Sequence, residues 1–385
     1  MDINNLEKRF KEIFKSQPMM FRSPGRINII GEHTDYNDGF VLPAAIDKAI
    51  YLAIAKREDA EIHLYAESYQ EFHISSMHFI KKTEKTWANY ILGVVDQFLK
   101  KGYSLTGLDI YLDGDVPLGA GLSSSAALEC AVAFAINDIF SLNISQIDLA
   151  LIGQKAEHEF AGVNCGIMDQ FASVFGKEKH AILLDCRSMD YQYIPLDLKG
   201  YKFVLLNTNV KHKLSESAYN QRRRQCELGL ELVKANLPDI ESLREVSLAQ
   251  LNKFVMPYDM EVYRRCKYVV EEITRTQLAA QKLKDGDLTG LGQLMLETHK
   301  GLSELYEVSC KELDFLVESV KDRTEVLGAR MMGGGFGGCT INLVKAEKSD
   351  ELVAMLKPLY QKEFGFSLEA YLVEIDGGSS SINSY

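Results

Sequence analysis

Chargeable side chains crowd into one short segment near the start of the chain, SPGRINIIGEHTDYNDGF (residues 23–40). Glu32, His33 and Asp35 lie within four residues of one another, directly after a short apolar run, and Arg26 precedes them. A carboxylate accepts hydrogen bonds and an imidazole both donates and accepts them, so these side chains suit a ligand rich in hydroxyl groups. A solvated turn explains one or two such residues. The whole cluster predicts a binding site for a polar ligand.

A second segment, DVPLGAGLSSSAALE (residues 115–129), has the composition of a phosphate-binding loop. Its proline and glycines permit a tight turn, and three consecutive serines then open an apolar helix. The free N–H groups and the positive dipole end of a helix N-terminus attract phosphate. The alternative is an ordinary helix start, but capping requires only one serine. The segment is neither a Walker A loop nor the dinucleotide fingerprint, since Ser124 stands where that fingerprint has its third glycine.

A third segment, GGGFGG (residues 333–338), satisfies the spacing GxGxxG literally. The residues that follow it, CTINLV, predict a strand where the dinucleotide fold requires a helix, so that interpretation is rejected. Two interpretations stay open. One is a turn that approaches a ligand closely, which glycine permits because it lacks a Cβ atom. The other is a plain hairpin turn.

Asp169 stands in an otherwise apolar setting, CGIMDQF. Such an aspartate is either a helix cap or a carboxylate kept partly dry, and the sequence favours neither interpretation. A dry carboxylate near a cation can accept the proton of a hydroxyl group. Together with the phosphate-loop candidate and the polar cluster, Asp169 points to phosphoryl transfer to a hydroxyl. That chemistry needs electrostatic clamps, a divalent cation and a positioned nucleophile.

The elements that must position these residues alternate irregularly along the chain. Residue spacing predicts mostly strands in the first part and mostly helices in the second, which indicates an α+β architecture rather than a doubly wound parallel sheet. At 385 residues the chain is expected to form two domains. We place them at residues 1–190 and 191–385. Helices are predicted at residues 87–99, 216–234, 261–281, 286–300 and 310–320.

Bulk composition excludes several classes of function. The formal net charge of −11 argues against binding to nucleic acid or to an anionic membrane surface. The sequence predicts no membrane span, because it contains no run of about 18 apolar residues. Its seven cysteines are scattered and form no CxxC pair, which predicts neither a zinc site nor a disulfide framework. Reduced thiols and a charged, amphipathic N-terminus indicate a cytoplasmic protein.

Five segments together resemble a known family. GRINIIGEHTDYNDGFVLP resembles the signature of galactokinases, and PLGAGLSSSAA resembles the ATP motif of the wider GHMP kinase superfamily. MMGGGFGGCTINLV is similar to the third motif of that superfamily, while CGIMDQF and SAYNQRRRQC are similar to galactokinase segments. The motifs occur in family order from Gly25 to Val344, so the resemblance covers nearly the whole chain.

The resemblance implies a two-domain GHMP kinase fold in which ATP and a sugar meet in the cleft between the domains. Asp169 matches the catalytic aspartate, and Arg26 matches an arginine beside it and the transferring phosphate. Sugar contacts are implied for Glu32, His33, Asp35, Gly166, Asp169 and Tyr219. ATP contacts are implied for Trp87, Pro117, Gly119, Ala120, Gly121, Leu122, Ser123, Ser124, Ser125 and Ala126. Mg²⁺ ligands are implied at Ser125 and Glu157.

Some of these assignments have competing explanations. Trp87 could instead be a core anchor, because it lies on the apolar stripe of an amphipathic helix. Lys211 is equally a phosphate contact or a surface lysine. Asp169 either abstracts a proton or mainly orients the hydroxyl, since a loose transition state makes little demand on a base.

The activity that the resemblance implies is ATP-dependent phosphorylation of D-galactose at the C1 hydroxyl, giving α-D-galactose 1-phosphate and ADP. This reaction is the first committed step of galactose catabolism. One alternative is a kinase for N-acetylgalactosamine or L-arabinose. Another is a non-catalytic sugar and ATP sensor, which the intact GLSSSAA loop disfavours. The expected partners are galactose and ATP, without nucleic acid or membrane, and the protein is expected to be a cytoplasmic monomer.

Overall fold

The computed structural model describes residues 3–210 and 215–382, apart from the side chains of residues 215 and 216. Its strands form three sheets: a six-stranded sheet in the order β13-β1-β3-β6-β4-β5, a four-stranded sheet in the order β10-β11-β9-β12, and a three-stranded sheet in the order β2-β7-β8. The strands are β1 (Met19–Asn28), β2 (Phe40–Val41), β3 (Pro43–Lys56), β4 (Glu61–Ala66), β5 (Glu71–Ser76), β6 (Leu108–Gly114), β7 (His180–Asp185), β8 (Tyr191–Pro195), β9 (Tyr201–Asn207), β10 (Val326–Met331), β11 (Cys339–Lys345), β12 (Glu369–Leu372) and β13 (Ser380–Ile382).

The helices follow the predicted apolar periodicity closely. The five predicted helices are confirmed as α2, α6, α8, α9 and α10, whereas the short helices α5 and α7 and the long α11 were not predicted. Within the described residues, no helix has the length and apolar character that crossing a membrane requires. The helices are α1 (Ile3–Phe14), α2 (Thr86–Lys100), α3 (Ser124–Ile139), α4 (Gln146–Ala156), α5 (Met168–Phe175), α6 (Ser215–Lys234), α7 (Leu248–Phe254), α8 (Met260–Lys284), α9 (Leu288–Lys300), α10 (Lys311–Val320) and α11 (Ser349–Phe364).

The six-stranded sheet is covered on both faces. On one face, Leu6 and Phe10 of α1 pack against Met20, Ala53 and Tyr111. The other face belongs to the largest core cluster, which contains the apolar side chains of α2 and α3. Strands β1, β3 and β6 are buried along most of their length, because both of their faces are covered, whereas buried and more exposed residues alternate along β4.

The two large sheets share one continuous core. The cluster that covers the six-stranded sheet also contains Leu205, Ile341 and Leu343 from the four-stranded sheet and Leu291 from α9. The opposite face of the four-stranded sheet packs against α10 and α11. The α+β architecture is therefore confirmed.

The predicted boundary after residue 190 falls inside the β7–β8 hairpin, in which Ala181 pairs with Ile194. At the end of the chain, β13 returns to the first sheet and pairs with β1, for example Phe21 with Ser381. The chain therefore leaves the six-stranded sheet after β6, contributes β7 and β8 to the three-stranded sheet, and comes back to the six-stranded sheet at its last described strand. The division at residue 190 stays a prediction.

The ladder between β1 and β3 is irregular beside Gly25. Between the pairs Pro24–Ala49 and Arg26–Ala45, β3 has two more residues than β1, so the bulge lies on the β3 side. Such bulges disrupt a ladder locally and are frequent next to active sites. A Cβ atom at Gly25 would lie 2.6 Å from the carbonyl oxygen of Leu122. Glycine at position 25 therefore lets β1 lie directly against the loop that opens α3.

A second close approach joins α9 to β10. A Cβ atom on Gly292 would lie 2.0 Å from the Leu327 carbonyl oxygen, and one on Gly328 would lie 2.5 Å from Gly292 Cα. The helix and the strand thus touch backbone to backbone. Because β10 leads into the glycine-rich turn at residues 333–338, this contact helps to place that turn.

Replacing Gly292 with alanine separates helix propensity from packing. Alanine is favoured over glycine in a helix interior by about 1 kcal/mol, so propensity alone predicts stabilisation. We expect Gly292→Ala to lower stability by about 1–3 kcal/mol, because the added methyl group meets backbone that cannot move aside. The urea unfolding midpoint measures this. The control is Gly377→Ala, where a Cβ atom meets nothing within 4 Å; a stabilised Gly292→Ala protein would contradict the packing account.

Candidate active site

Two cavities lie on either side of the loop that opens α3. The first has a volume of about 180 Å³ and the second about 280 Å³. The first brings together eight of the residues singled out in the sequence: Arg26, Glu32, His33, Asp35, Glu157, Gly166, Asp169 and Tyr219. Trp87, Ser124 and Ser125 line the second. Segments that are distant in sequence therefore meet at one cleft.

Arg26 and Asp169 form a paired contact in the wall of the first cavity. Arg26 donates to both carboxylate oxygens of Asp169, from Nε at 2.8 Å and from Nη2 at 2.9 Å. Its Nη1 donates to the carbonyl oxygen of Gly121 at 2.6 Å. The Ser123 hydroxyl donates to Asp169 as well. Asp169 lies in the first turn of α5, where its side chain engages these donors instead of capping its own helix.

Glu32 is fixed by a residue that the sequence analysis did not single out. The buried Arg330 of β10 donates from Nη1 and Nη2 to Glu32 Oε1, each at 3.1 Å, and the Gly333 N–H donates to the same oxygen at 2.8 Å. Arg330 Nε also donates to the Ile29 carbonyl oxygen at 2.8 Å. All the recorded bonds of the Glu32 carboxylate end on Oε1, so Oε2 is the oxygen left for a ligand in the first cavity.

His33 is neutral, and one nitrogen of its imidazole ring already has a hydrogen-bond partner. Burial lowers the pKa of His33 to about 3. Its Nδ1 is 2.8 Å from the Tyr36 hydroxyl, which in turn lies 2.8 Å from the hydroxyl of Tyr306. The other nitrogen, Nε2, is buried and has no hydrogen-bond partner in the described part of the chain. Since a buried polar atom normally has a partner, Nε2 is suited to a ligand group.

Asp35 and Gly166 are fitted to each other. A Cβ atom at position 166 would lie 1.9 Å from Asp35 Oδ2, so only glycine leaves room for this carboxylate. The Tyr36 N–H donates to Asp35 Oδ1 at 3.0 Å. Burial, together with the charge of Asp169, raises the pKa of Asp35 to about 7. The carboxyl group is therefore held in a dry position beside a second acid.

Tyr219 supplies an aromatic wall from α6. Its ring centroid lies 5.2 Å from that of His33 and 5.6 Å from that of Tyr36. Burial raises the pKa of Tyr219 well above its ordinary value, so its hydroxyl remains protonated at neutral pH. A rigid ring with a polar tip suits a sugar, which offers both apolar C–H faces and hydroxyl groups.

The loop that opens α3 has the backbone of a phosphate cradle. Gly119 and Gly121 have positive φ values of 75°, and Ser123 adopts a left-handed conformation at the N-cap without a side-chain capping bond. The N–H groups of the first helical turn therefore remain free, as phosphate binding requires. The side chains of Ala120, Leu122 and Ala126 are buried, so these residues can offer a ligand only their backbone, whereas Pro117 has no N–H to offer.

The glycine-rich third segment is both a hairpin turn and part of the site. It joins the antiparallel strands β10 and β11, and Gly333 and Gly334 line the first cavity. A Cβ atom on Gly333 would lie 3.4 Å from the Gly121 carbonyl oxygen, and one on Gly338 would lie 3.5 Å from the Ala120 backbone. The interpretation as a hairpin turn is confirmed, as is the strand predicted after it, β11, and the close approach to a ligand stays a prediction.

Ser125 and Glu157 place two hard oxygen donors together. The Ser125 hydroxyl donates to Glu157 Oε1 at 3.0 Å. Glu157 begins a five-residue π-helical turn, Glu157–Ala161, at the end of α4, and such turns are frequent at functional sites. Burial and the charge of Asp169 raise the pKa of Glu157 to about 7. Within the described residues, the structure records no lysine or arginine that pairs with this acid.

The second cavity has an aromatic lining. Trp87 is 6% exposed, and its Nε1 donates to Glu71 Oε2 at 2.9 Å. The ring of Tyr69 is nearly parallel to it, with the centroids 6.3 Å apart and 13° between the planes. Trp87 is therefore both packed into the core and part of a cavity wall. Tyr69 was not found from the sequence, because one tyrosine in a turn carries no spacing signal.

Two further residues escaped the sequence analysis. Glu129 and Gln170 contact each other behind Glu157, at 3.0 Å.

Arg330 offered a signal in retrospect, since it is the charged residue of an otherwise apolar strand entering the glycine-rich turn. Lys211, considered as a phosphate contact, lies outside the described residues.

Comparisons with known proteins identify the class first. The family models described as GHMP kinases N terminal domain and GHMP kinases C terminal match residues 89–177 and 279–361. A crystal structure of Methanococcus jannaschii mevalonate kinase is similar in fold, with a TM-score of 0.64 at 20% identity over 94% of this chain and 99% of that chain. The two-domain GHMP kinase fold, with its site between the two halves, is thereby confirmed.

Closer comparisons identify the family. The model of the galactokinase galactose-binding signature matches residues 8–56. The galactokinase of Thermotoga maritima is 43% identical over 94% of this chain and 100% of its own length, and that of Clostridium acetobutylicum is 42% identical over 99% of each. Lactococcus lactis galactokinase, crystallised with galactose, has a TM-score of 0.95 at 36% identity, covering 99% of this chain and 100% of that chain. The chain belongs to the galactokinase family.

The raised pKa of Asp35 predicts a stability difference that depends on pH. Between about pH 4 and the folded pKa of about 7 the folded state holds a proton that the unfolded state has lost, so this group's contribution to stability falls as pH rises. We expect Asp35→Asn to stabilise the protein by on the order of 4 kcal/mol at about pH 8 and by only about 1.5 kcal/mol at about pH 5. Urea unfolding at both pH values measures the difference.

The control for this substitution is Asp38→Asn, in the same turn but half-exposed. It should change stability by less than about 0.5 kcal/mol at either pH. An Asp35→Asn protein that is less stable than the parent at about pH 8 would show that the carboxylate is not strained by burial.

Proposed function

We propose that this protein phosphorylates D-galactose at the C1 hydroxyl with ATP, giving α-D-galactose 1-phosphate and ADP. One observation carries the proposal: the Arg26–Asp169 pair lies where a small polar cavity meets a helix N-terminus built to bind phosphate. A hydroxyl group held in that cavity and a phosphoryl group held by that loop would meet beside Asp169. This is the arrangement that phosphoryl transfer requires.

Galactose recognition is assigned to the polar walls of the first cavity. We assign Glu32 Oε2 and the Asp35 carboxylate as acceptors for sugar hydroxyls, and the neutral His33 as a partner through Nε2. Each carboxylate can accept hydrogen bonds from two vicinal hydroxyl groups. We assign Tyr219 to pack against the ring of the sugar. Gly166 contributes indirectly as well, because its missing side chain leaves space for the Asp35 carboxylate.

We assign Asp169 to contact the attacking hydroxyl group and Arg26 to contact the transferring phosphoryl group. As the C1 oxygen bonds to the γ-phosphorus, the bond from that phosphorus to the bridging oxygen of ADP breaks, and the hydroxyl proton passes to Asp169. In a loose transition state the proton leaves late, so Asp169 acts first by orienting the hydroxyl. The Arg26 guanidinium and the free N–H groups of the loop offset the phosphoryl charge. Trp87 and Tyr69 are assigned to the adenine ring.

Mg²⁺ is proposed as the cofactor, with Ser125 and Glu157 as its protein ligands. Their oxygens are the hard donors that Mg²⁺ prefers, and Glu157 is an acid without a cationic partner in the described residues. Mg²⁺ is usually held by one or two protein carboxylates together with substrate phosphates, so a full protein cage is not needed. When bound, the ion would offset the negative charge of the ATP phosphates.

The other candidate functions are not favoured. Relatives that are 42–43% identical are galactokinases, which favours galactose over N-acetylgalactosamine or L-arabinose as the substrate. A non-catalytic sensor is disfavoured because Arg26, Asp169 and the serines of the loop are all present and in contact. We further propose that the enzyme is a cytoplasmic monomer, consistent with seven free cysteines.

Removing the Asp169 carboxylate tests the proposed mechanism. We expect Asp169→Ala and Asp169→Asn to lower kcat by about 10²–10⁴-fold, because a group that takes up a proton in the transition state contributes on that scale. ADP release is measured against galactose, glucose, N-acetylgalactosamine and L-arabinose, and calorimetry with ATP confirms that each variant is folded. Full activity in Asp169→Ala would refute the mechanism, and equal turnover of glucose and galactose would refute the specificity.

Arg330 tests whether Glu32 must be held in place to bind the sugar. Arg330→Lys keeps the charge but loses the planar fork that meets Glu32. We expect it to raise the KM for galactose by about tenfold, as the loss of a charged hydrogen bond does, while the KM for ATP changes little. Steady-state kinetics measures both constants.

The matched control is Arg265→Lys. Arg265 is also fully buried and bonded to a carbonyl oxygen and to acids, but its recorded partners line neither cavity, whereas Glu32, the partner of Arg330, lines the first. It should lower stability without changing the KM for galactose. Equal effects of the two substitutions on that KM would mean that Arg330 acts only through general stability.

A further inference from the structure

A second acid lies behind the proposed magnesium ligands. Glu129, one turn after Ser125 on α3, is 0% exposed. Its recorded polar contact is the amide of Gln170, the residue after Asp169 on α5. Gln170 Nε2 donates one hydrogen to Glu129 Oε2 at 3.0 Å and the other to Glu157 Oε2 at 2.8 Å. The amide therefore bridges two buried carboxyl groups.

The space for this bridge is created by a glycine in the neighbouring helix. A Cβ atom at Gly153 of α4 would lie 3.2 Å from Gln170 Cγ and 3.4 Å from Glu129 Cβ. Contacts this short are tighter than ordinary packing, so a larger residue at position 153 would push the two side chains apart. Three helices thus meet around one carboxyl–amide pair.

We propose that Glu129 and Gln170 form a buried pair that positions the Glu157 carboxylate to bind a divalent cation. The inference rests on the proposed function, in which Glu157 holds the cation that accompanies ATP. Gln170 acts directly on Glu157, and Glu129 acts through Gln170. Both are positioning residues, and neither is assigned a contact with the reacting atoms.

Two orphaned atoms reveal how the pair is protonated. Glu129 Oε1 and Gln170 Oε1 are both buried without a hydrogen-bond partner in the described residues. Both are acceptors when Glu129 is ionised, so neither can satisfy the other. We therefore assign a proton to Glu129 Oε1, which makes this atom a donor for Gln170 Oε1. The acid and the amide would then share two hydrogen bonds, and the second N–H of the amide would remain with Glu157.

The charges around Glu129 favour the same neutral form. The titratable neighbours that act on it, Glu157 and Asp169, are both acids. No ion pair is recorded for Glu129 among the described residues. Burial, followed by the charge of Glu157, raises the pKa of Glu129 well above its ordinary value. A neutral acid also fixes which end of the amide faces Glu157, because its O–H must meet the carbonyl oxygen of Gln170.

Infrared spectroscopy of the ligand-free protein tests the pair without any substrate. At about pH 8.5, acids with a pKa near 7 are ionised, whereas Glu129 in the proposed neutral pair keeps its proton. The difference spectrum of the parent minus Glu129→Gln should contain the C=O stretching band of a protonated carboxylic acid, above the amide I band. A difference spectrum that shows only carboxylate bands would overturn the neutral pair.

Binding of Mn²⁺ with ADP, followed by electron paramagnetic resonance, tests the positioning role. Glu129→Leu and Gln170→Leu should weaken binding by about 10–100-fold, as the loss of a partner that orients a metal ligand does. Glu129→Gln should stay within about threefold of the parent, because an amide reproduces both hydrogen bonds of a neutral acid. Galactose binding, measured by calorimetry without metal, should be unchanged in all three variants.

The outcomes separate this inference from the proposed function. If Glu129→Gln binds Mn²⁺ as weakly as Glu129→Leu, Glu129 acts as an anion and the inference is wrong. If neither leucine variant weakens binding, the pair has no positioning role. If the parent protein itself fails to phosphorylate galactose, the proposed function fails, while the infrared result still decides whether the neutral pair exists.

Discussion

Arg26 is the point at which three parts of the active site are joined. Its side chain binds both oxygens of Asp169 on α5 and the carbonyl oxygen of Gly121, and its backbone N–H donates to the Leu122 carbonyl oxygen at 3.1 Å. Removing one partner of a buried ion pair lowers stability by about 3–5 kcal/mol. The Arg26 guanidinium is therefore stable in this buried position only with its partners in place. Glycine at position 25 permits the close approach to Leu122, because a Cβ atom there would lie 2.6 Å from the Leu122 carbonyl oxygen.

The sugar-binding wall depends on the second half of the chain. The Gly31 N–H donates to Glu272 at 3.0 Å, the Tyr268 hydroxyl donates to the Glu32 carbonyl oxygen at 3.0 Å, and Arg330 holds the Glu32 carboxylate. These three side chains come from α8 and β10. The first signature therefore has its binding geometry only when both large sheets are docked through their common core.

The sequence predicted the parts of the site more completely than their contacts. Short motifs identified Arg26 and Asp169, because their residue types and spacing carry the chemistry. Arg330 escaped, since its partner Glu32 is 298 residues away and nothing in local spacing encodes that contact. Glu129 was missed as well, because it stands in an apolar helix and local spacing does not encode its contact with Gln170. Likewise, the return of β13 to β1 depends on long-range pairing and not on local propensity.

Phosphorus NMR of the reaction mixture tests most directly whether the hydroxyl group beside Asp169 is the anomeric one. With galactose and ATP, the predicted result is a single new phosphomonoester signal, coupled to the anomeric proton and equal in amount to the ADP formed. A galactose 6-phosphate signal would contradict the proposed placement of the sugar. ADP formed together with inorganic phosphate alone would contradict phosphoryl transfer to galactose altogether.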